Sequence, residues 1–362
     1  MSRSRSTLLS AAWLVAACMS TAAPGSMARA ESEETEVRQH VTVTQSDLTA
    51  AGNVNAAFFH VHEANVPGAR ERAAALHEEN AKHLVESGLA QPREETVKPL
   101  ALTGPYFYPG DVKKGTGAAL VTTTQHALYV DYTGTVAANW GNPEQFLKDL
   151  NVSTFIHVVD QYAGSKANSR YPVGGNASVT YSFYGNVIYE HEIWAIVHAA
   201  AVHYGSGTAH LYHVFLPKGV DTCIDLTTSC YSPDNANTWT FCAYHESVNF
   251  GSPLGTVYFS VEPYQDVSGC AEATPSSPNG QLADSTNSSL SHETFESISD
   301  PIPGLGYFNQ STPFYGNEIG DECLSLLNSL GDSLDPTLIL NGKSYKAQLE
   351  YSNTYHACAS VP

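Results

Sequence analysis

The chain has 362 residues, 42% of them apolar, with seven cysteines, 20 tyrosines and a formal net charge of −19. So acidic a surface repels phosphate backbones and anionic bilayers, which argues against nucleic acid and anionic membranes as partners. The apolar fraction suffices for one large globular domain, alone or with a smaller N-terminal region.

Arg3 and Arg5, an apolar run over residues 8–17 and the small residues ending in Ala28-Arg29-Ala30 read as a secretory signal peptide over residues 1–30. The run is too short to span a bilayer and no other stretch reaches spanning length, so no transmembrane segment is expected. Val15-Ala16-Ala17-Cys18 offers a second route, a lipobox that would leave Cys18 acylated as a lipid anchor. Both routes predict export to a secreted, periplasmic or extracellular location.

Residues 31–100 are rich in charge, and residues 67–88 read as one helix with proline at its start and glycine past its end. His77-Glu78-Glu79-Asn80 has no further ligand at helical spacing and reads as a solvated face. His60 and His62 share a strand face and read as a surface pair. The segment is expected to be a helical arm or pro-segment, followed by a globular domain over residues 101–362.

In that domain, residues 127–133 alternate as a strand, and Asn142-Pro143 caps a helix with Phe146, Leu147 and Leu150 inward. A second helix is expected over residues 153–162, and an amphipathic one over residues 188–203 with Ile193, Ile196, Val197 and Ala200 on its apolar face. Three strands follow, over residues 211–216, 239–244 and 257–264. After a loop over residues 273–283 comes a helix with Asp284, Ser285 and Thr286 as cap candidates and Leu290, Phe295 and Ile298 as anchors. It should end at Asp300, because Pro301 disfavours the helical region for the residue before it.

That last helix carries Ser291-His292-Glu293-Thr294-Phe295-Glu296. At about 100° per residue, His292, Glu296 and Asp300 share a stripe about 80° wide. A catalytic zinc keeps about three protein ligands and one open position, and ligands at i and i+4 on a helix point the same way. His292 and Glu296 are therefore the expected ligands, with Glu293 beside them as general base. Asp300 has the spacing for a third ligand, while Glu318 and Asp321 lie beyond a turn, and Asp321 or Glu318 ranks ahead of Asp300. Tyr307 or Tyr315 is the candidate to polarise an oxyanion. Zinc is the expected ion; the excess of carboxylates also brings calcium into consideration.

The six remaining cysteines, Cys223, Cys230, Cys242, Cys270, Cys323 and Cys358, are even in number and read as up to three disulfides. Cys223 with Cys230 would be a local pair, and Cys323 with Cys358 would tie the tail beside the acidic cluster. No Gly-x-Ser-x-Gly or Cys-x-x-Cys occurs. The class expected is α+β: a mixed or antiparallel sheet packed against helices, a zincin-like active-site helix, and disulfide staples.

Several segments together resemble the phosphate-induced protein family, whose plant members are called EXORDIUM. They are Trp140-Gly141-Asn142-Pro143 with Phe146-Leu147, Ser153-Thr154-Phe155 through Gln161-Tyr162, and Leu211-Tyr212-His213-Val214-Phe215 leading into Asp221-Thr222-Cys223. Phe241-Cys242-Ala243-Tyr244-His245, Gly306-Tyr307-Phe308, Asn341-Gly342-Lys343-Ser344-Tyr345 and Cys358 complete the set, over roughly residues 105–362. The resemblance implies an extracellular protein; the plant members are tied to cell expansion and growth signalling, have no settled enzymatic activity and usually lack the His-Glu-x-x-Glu. Bacterial relatives often carry Ser-His-Glu-x-x-Glu, Asp-Pro and Gly-Asn-Glu-Ile-Gly-Asp, as Ser291 to Glu296, Asp300-Pro301 and Gly316 to Asp321 do here. Leu305-Gly306-Tyr307 stands where those relatives usually have Gly-Trp. Likeness to that branch implies a zinc-dependent hydrolase, a metallopeptidase acting on peptide or protein substrates. The alternative is a non-enzymatic EXORDIUM-like factor whose acidic cluster is structural or binds calcium.

Overall fold

Seven strands, rich in β-branched and aromatic residues, form one mixed sheet: β1 (Gln39–Thr42), β2 (Ala56–Glu63), β3 (Thr124–Val130), β4 (Ala177–Thr180), β5 (His210–Phe215), β6 (Phe241–Asn249) and β7 (Thr256–Glu262). The computed structural model describes residues 39–91, 110–131, 140–182, 185–224, 229–271, 277–311, 314–324 and 335–362. The expected signal peptide and Cys18 lie outside these residues.

The strand order is β1-β4-β3-β5-β7-β6-β2. The first five are parallel neighbours, and β6 pairs antiparallel with both β7 and β2. Parallel neighbours need long crossovers, which include α3 (Pro143–Asn151) between β3 and β4 and α4 (Glu190–Tyr204) between β4 and β5. Two helices precede these, α1 (Gln45–Ala51) and α2 (Ala69–Glu86), and α5 (Gln281–Ser299) follows β7. The α+β class with a mixed sheet is the one expected.

Alternation along the strands divides the core. Leu128, Val130, Tyr212, Val214, Phe259 and Val261 pack with Ile193, Ile196, Val197 and Ala200 of α4 on one face. Ala127, Tyr129 and Phe215 pack on the other with Leu290, Phe295 and Ile298 of α5, behind which lie Phe146, Leu147 and Leu150 of α3. Helix α5 is thus enclosed, with the sheet below and α3, the 3-10 turn Phe155–Val159 and the strand Lys343–Lys346 around it. Two of its buried hydroxyls are accommodated locally: Ser285 Oγ donates to the Gln281 carbonyl at 2.6 Å and Thr286 Oγ1 to the Leu282 carbonyl at 2.9 Å. The helix therefore begins before its expected caps, at Gln281 after Gly280, with Asp284, Ser285 and Thr286 inside its first turns. It ends at Ser299 with Asp300 as C-cap, as the proline requires.

The expected arm is part of the sheet. Its described residues supply β1, β2, α1 and α2, and β2 pairs along its length with β6. A division at residue 100 would cut through this one sheet, because β2 has no other partner among the described strands. As an edge strand, β2 needs its free N–H groups covered. Asn80 Oδ1 accepts from the Phe59 N–H and His77 Nε2 from the Val61 N–H, both at 3.3 Å. Residues 77–80 are therefore only half solvated: Glu78 and Glu79 are exposed, while His77 and Asn80 turn inward.

Three disulfides join Cys223–Cys230, Cys242–Cys270 and Cys323–Cys358, two of them the pairs expected. Among the described residues no helix is long and apolar enough to cross a membrane.

Candidate metal centre

Strand register assembles the floor of the site. The pairing of β2 with β6 sets His60 opposite His245 and His62 opposite Ala243, so His60, His62 and His245 all face α5. From above, α5 presents His292, Glu293 and Glu296, all fully buried. After the turn at Gly304 to Gly306, the chain returns through Glu318 and the short 3-10 turn Asp321–Cys323.

The groups meet at short range. His292 Nε2 is 3.0 Å from Glu296 Oε2 and 3.8 Å from Asp321 Oδ1. His245 Nε2 is 3.3 Å from Glu318 Oε2 and 3.7 Å from Glu296 Oε2. His60 has Nε2 2.5 Å from Asp321 Oδ2 and Nδ1 3.5 Å from Glu318 Oε1. Three triads, His62–His292–Glu293, His60–Glu296–Asp321 and His245–Glu293–Glu296, each bring ligand atoms within 4.8 Å of one another. These buried groups could hold a metal ion.

Two observations favour a cation. First, His245 Nε2, His292 Nε2, Glu296 Oε2 and both carboxylate oxygens of Glu293 and Glu318 are buried without a hydrogen-bond partner. Orphaned buried polar atoms are costly and call for a reason. Although His292 Nε2 and Glu296 Oε2 lie only 3.0 Å apart, they are not aligned as a hydrogen bond, as befits two ligands converging on a third point. Second, ligands of a tetrahedral zinc at about 2.0–2.2 Å lie about 3.3–3.6 Å from one another, and the separations at His292 and His245 bracket that range.

The returning loop is held in place by its backbone. Gly320 N–H and Asp321 N–H both donate to Glu296 Oε1 at 3.1 Å. Gln348 Nε2 donates to the Gly320 carbonyl at 2.8 Å and lies 3.0 Å from His292 Nδ1, and the imidazole stands with Nε2 toward Glu296. Gly320 has no room for a side chain: a Cβ there would lie 2.5 Å from His292 Nδ1.

Burial and like charge dominate the electrostatics. Burial, with Glu262, Glu296 and Asp321 nearby, holds the Glu293 carboxyl well above the usual range. Burial, followed by Asp300 and Glu296, does the same to Glu318. Burial opposes the charged form of His60, but Asp321, Glu296 and Asp300 together outweigh it and the pKa rises to about 9. Burial, then His60 and His292, drives His245 well below the imidazole range. These are the protonation states of a cation-free cluster, and a bound cation would displace protons from it.

The residues expected from sequence thus divide. His292, Glu293, Glu296, Glu318 and Asp321 come together. Asp300 instead accepts from the Gly304, Leu305 and Gly306 N–H groups at 2.9, 3.2 and 2.5 Å and shapes that turn. Tyr315 lines a cleft of about 680 Å³ that reaches His60 and His77, while the Tyr307 ring packs on Tyr162. His60, His62 and His245 were missed. The i, i+2 spacing of the first two was a visible signal; nothing local marked His245.

No family model, curated protein or solved structure matches the chain, so the site is read from its own geometry.

Proposed function

We propose that this chain is an exported zinc-dependent hydrolase acting on peptide bonds. The observation that carries the reading is the buried convergence of His292, Glu296 and Asp321 beside Glu293, whose two carboxylate oxygens have no hydrogen-bond partner. His292, Glu296 and Asp321 would hold the ion, with His245 and Glu318 within reach of the same oxygen cluster. A bound divalent ion supplies Lewis acidity and makes water a competent nucleophile at neutral pH. Glu293 accepts the proton of the attacking water and returns it to the leaving amine, a role with no competing partner at its oxygens. The cleft would supply the approach, with Tyr315 on its wall as the candidate donor to a developing oxyanion and Leu305 and Phe308 offering apolar contact. Three disulfides suit an oxidising compartment, which supports export.

The EXORDIUM-like alternative, a non-enzymatic factor with a structural or calcium-binding cluster, draws on the carboxylate excess. Calcium takes oxygen ligands, whereas imidazoles suit zinc and its neighbours; the inward-facing His60, His245 and His292 therefore favour the first reading.

The test is metal analysis of the purified protein with a peptide-hydrolysis assay on wild type and Glu293→Gln. The reading expects bound zinc in both and a rate lower by about 10²–10⁴ in the variant. A protein that binds no metal, or a variant as active as wild type, overturns it.

A further inference from the structure

The cluster holds more ligands than one ion can use. A zinc site takes about four ligands, yet four histidines and four carboxylates converge here. Ring geometry shows how the groups divide. A metal binds an imidazole in the plane of its ring. The His62 and His292 rings are 4.1 Å apart and nearly parallel at 19°, so an ion in the plane of one lies well out of the plane of the other. His60 and His245 are different: their rings are 5.7 Å apart and inclined at 42°, so the two planes cross.

Distances sort the remaining groups. Glu318 turns one oxygen to each of that crossing pair, Oε1 to His60 Nδ1 at 3.5 Å and Oε2 to His245 Nε2 at 3.3 Å. On the helix side, His292 Nε2 faces Glu296 Oε2 at 3.0 Å and Asp321 Oδ1 at 3.8 Å. One atom belongs to both sets, since Glu296 Oε2 is also 3.7 Å from His245 Nε2. Asp321 connects them as well, because its Oδ2 receives His60 Nε2 at 2.5 Å while its Oδ1 faces His292. With Glu293, four carboxylates meet here, Glu293, Glu296 and Glu318 fully buried and Asp321 nearly so.

We infer that the centre is dinuclear, with one divalent ion on His292, Glu296 and Asp321 and a second on His60, His245 and Glu318, Glu296 Oε2 lying between them. Paired ions of this kind sit about 3.5–4 Å apart and together stabilise the attacking and leaving atoms of a displacement. The sheet-side ion lies next to His60, the residue of this set that lines the cleft, so it is the one an entering substrate meets first. Stacked on His292, His62 holds that ring in orientation and does not join either set. The inference rests on the metal-dependent reading of the same groups.

The experiment is a stoichiometry. The full protein is stripped with chelator, reloaded with excess Zn²⁺, desalted, and its zinc counted by mass spectrometry against protein from amino-acid analysis. Two zinc per chain are expected in wild type, and about one in Glu318→Gln, which changes no side-chain shape. The Mn²⁺-loaded wild type should show the spin-coupled resonance of a metal pair. One zinc per chain with an uncoupled Mn²⁺ signal overturns the second ion and leaves the hydrolase reading standing. No zinc at all overturns both. Because the wild-type count stands without the variant, a poorly folding Glu318→Gln does not obscure the answer.

Discussion

His60 Nε2 and Asp321 Oδ2 lie 2.5 Å apart, although 261 positions separate them in the chain. His60 is buried and Asp321 nearly so, and their contact joins the edge strand β2 to the loop that follows α5. Removing one partner of a buried ion pair leaves the other uncompensated and costs about 3–5 kcal/mol. His60→Ala should therefore destabilise the metal-free protein by about that amount, measured by urea unfolding in chelator. A change under 1 kcal/mol would show that Asp321 is satisfied in another way.

Gly320→Ala should weaken metal binding without altering a ligand. Gly320 has an ordinary φ of −75°, so alanine is acceptable to the backbone there. The added methyl would instead meet His292 Nδ1 at 2.5 Å and Glu296 Oε1 at 2.9 Å, pushing both ligands aside. The expected loss in zinc affinity is at least tenfold, read by competition with a chromophoric chelator; unchanged affinity would mean that the loop yields freely.

The disulfides should separate by function. Cys323–Cys358 closes a 35-residue separation beside Asp321, whereas Cys223–Cys230 spans seven residues away from the centre. Replacing Cys323 and Cys358 by serine should cost about 2–4 kcal/mol of stability and lower zinc affinity. The same replacement at Cys223 and Cys230 should leave zinc affinity unchanged. Equal effects on zinc binding from the two pairs would contradict this division.

Acid sensitivity should come in part from histidines outside the centre. Burial, then His126, pushes the His213 pKa from 6.5 down to about 3, and burial, outweighing a backbone hydrogen bond, brings His126 down to about 4. Between these values and 6.5 the unfolded chain binds a proton that the folded chain excludes. Their contribution is complete above pH 6.5 and is lost as pH falls, by about 1.4 kcal/mol per pH unit per group. His213→Gln should flatten the decline in unfolding free energy between pH 6.5 and 4.5; an unchanged slope would mean that His213 titrates alike in both states.

How far the site was legible follows from the range of the interactions. His292, Glu293 and Glu296 could be placed together from spacing, since the helical period is a local property of the backbone. Asp300 had that spacing too, yet Pro301 ends the helix there and the turn's N–H groups claim its carboxylate. The inward turn of His77 and Asn80 was hidden because it answers the unpaired N–H groups of β2, an edge that exists only once the sheet is assembled.

The sequence by itself determined the α5 motif, its end at Asp300, the second acidic cluster, an even set of six cysteines and the α+β class. These depend on periodicity, proline sterics, cysteine parity and composition, all of which act over short stretches of chain. Only the tertiary structure decided that residues 39–91 belong to the sheet and that His60, His62 and His245 face α5. The reason is register: a shift of one residue in the pairing of β2 with β6 would turn its histidines to the opposite face. That register is set by packing across the whole sheet, which no local pattern around His60 or His245 records.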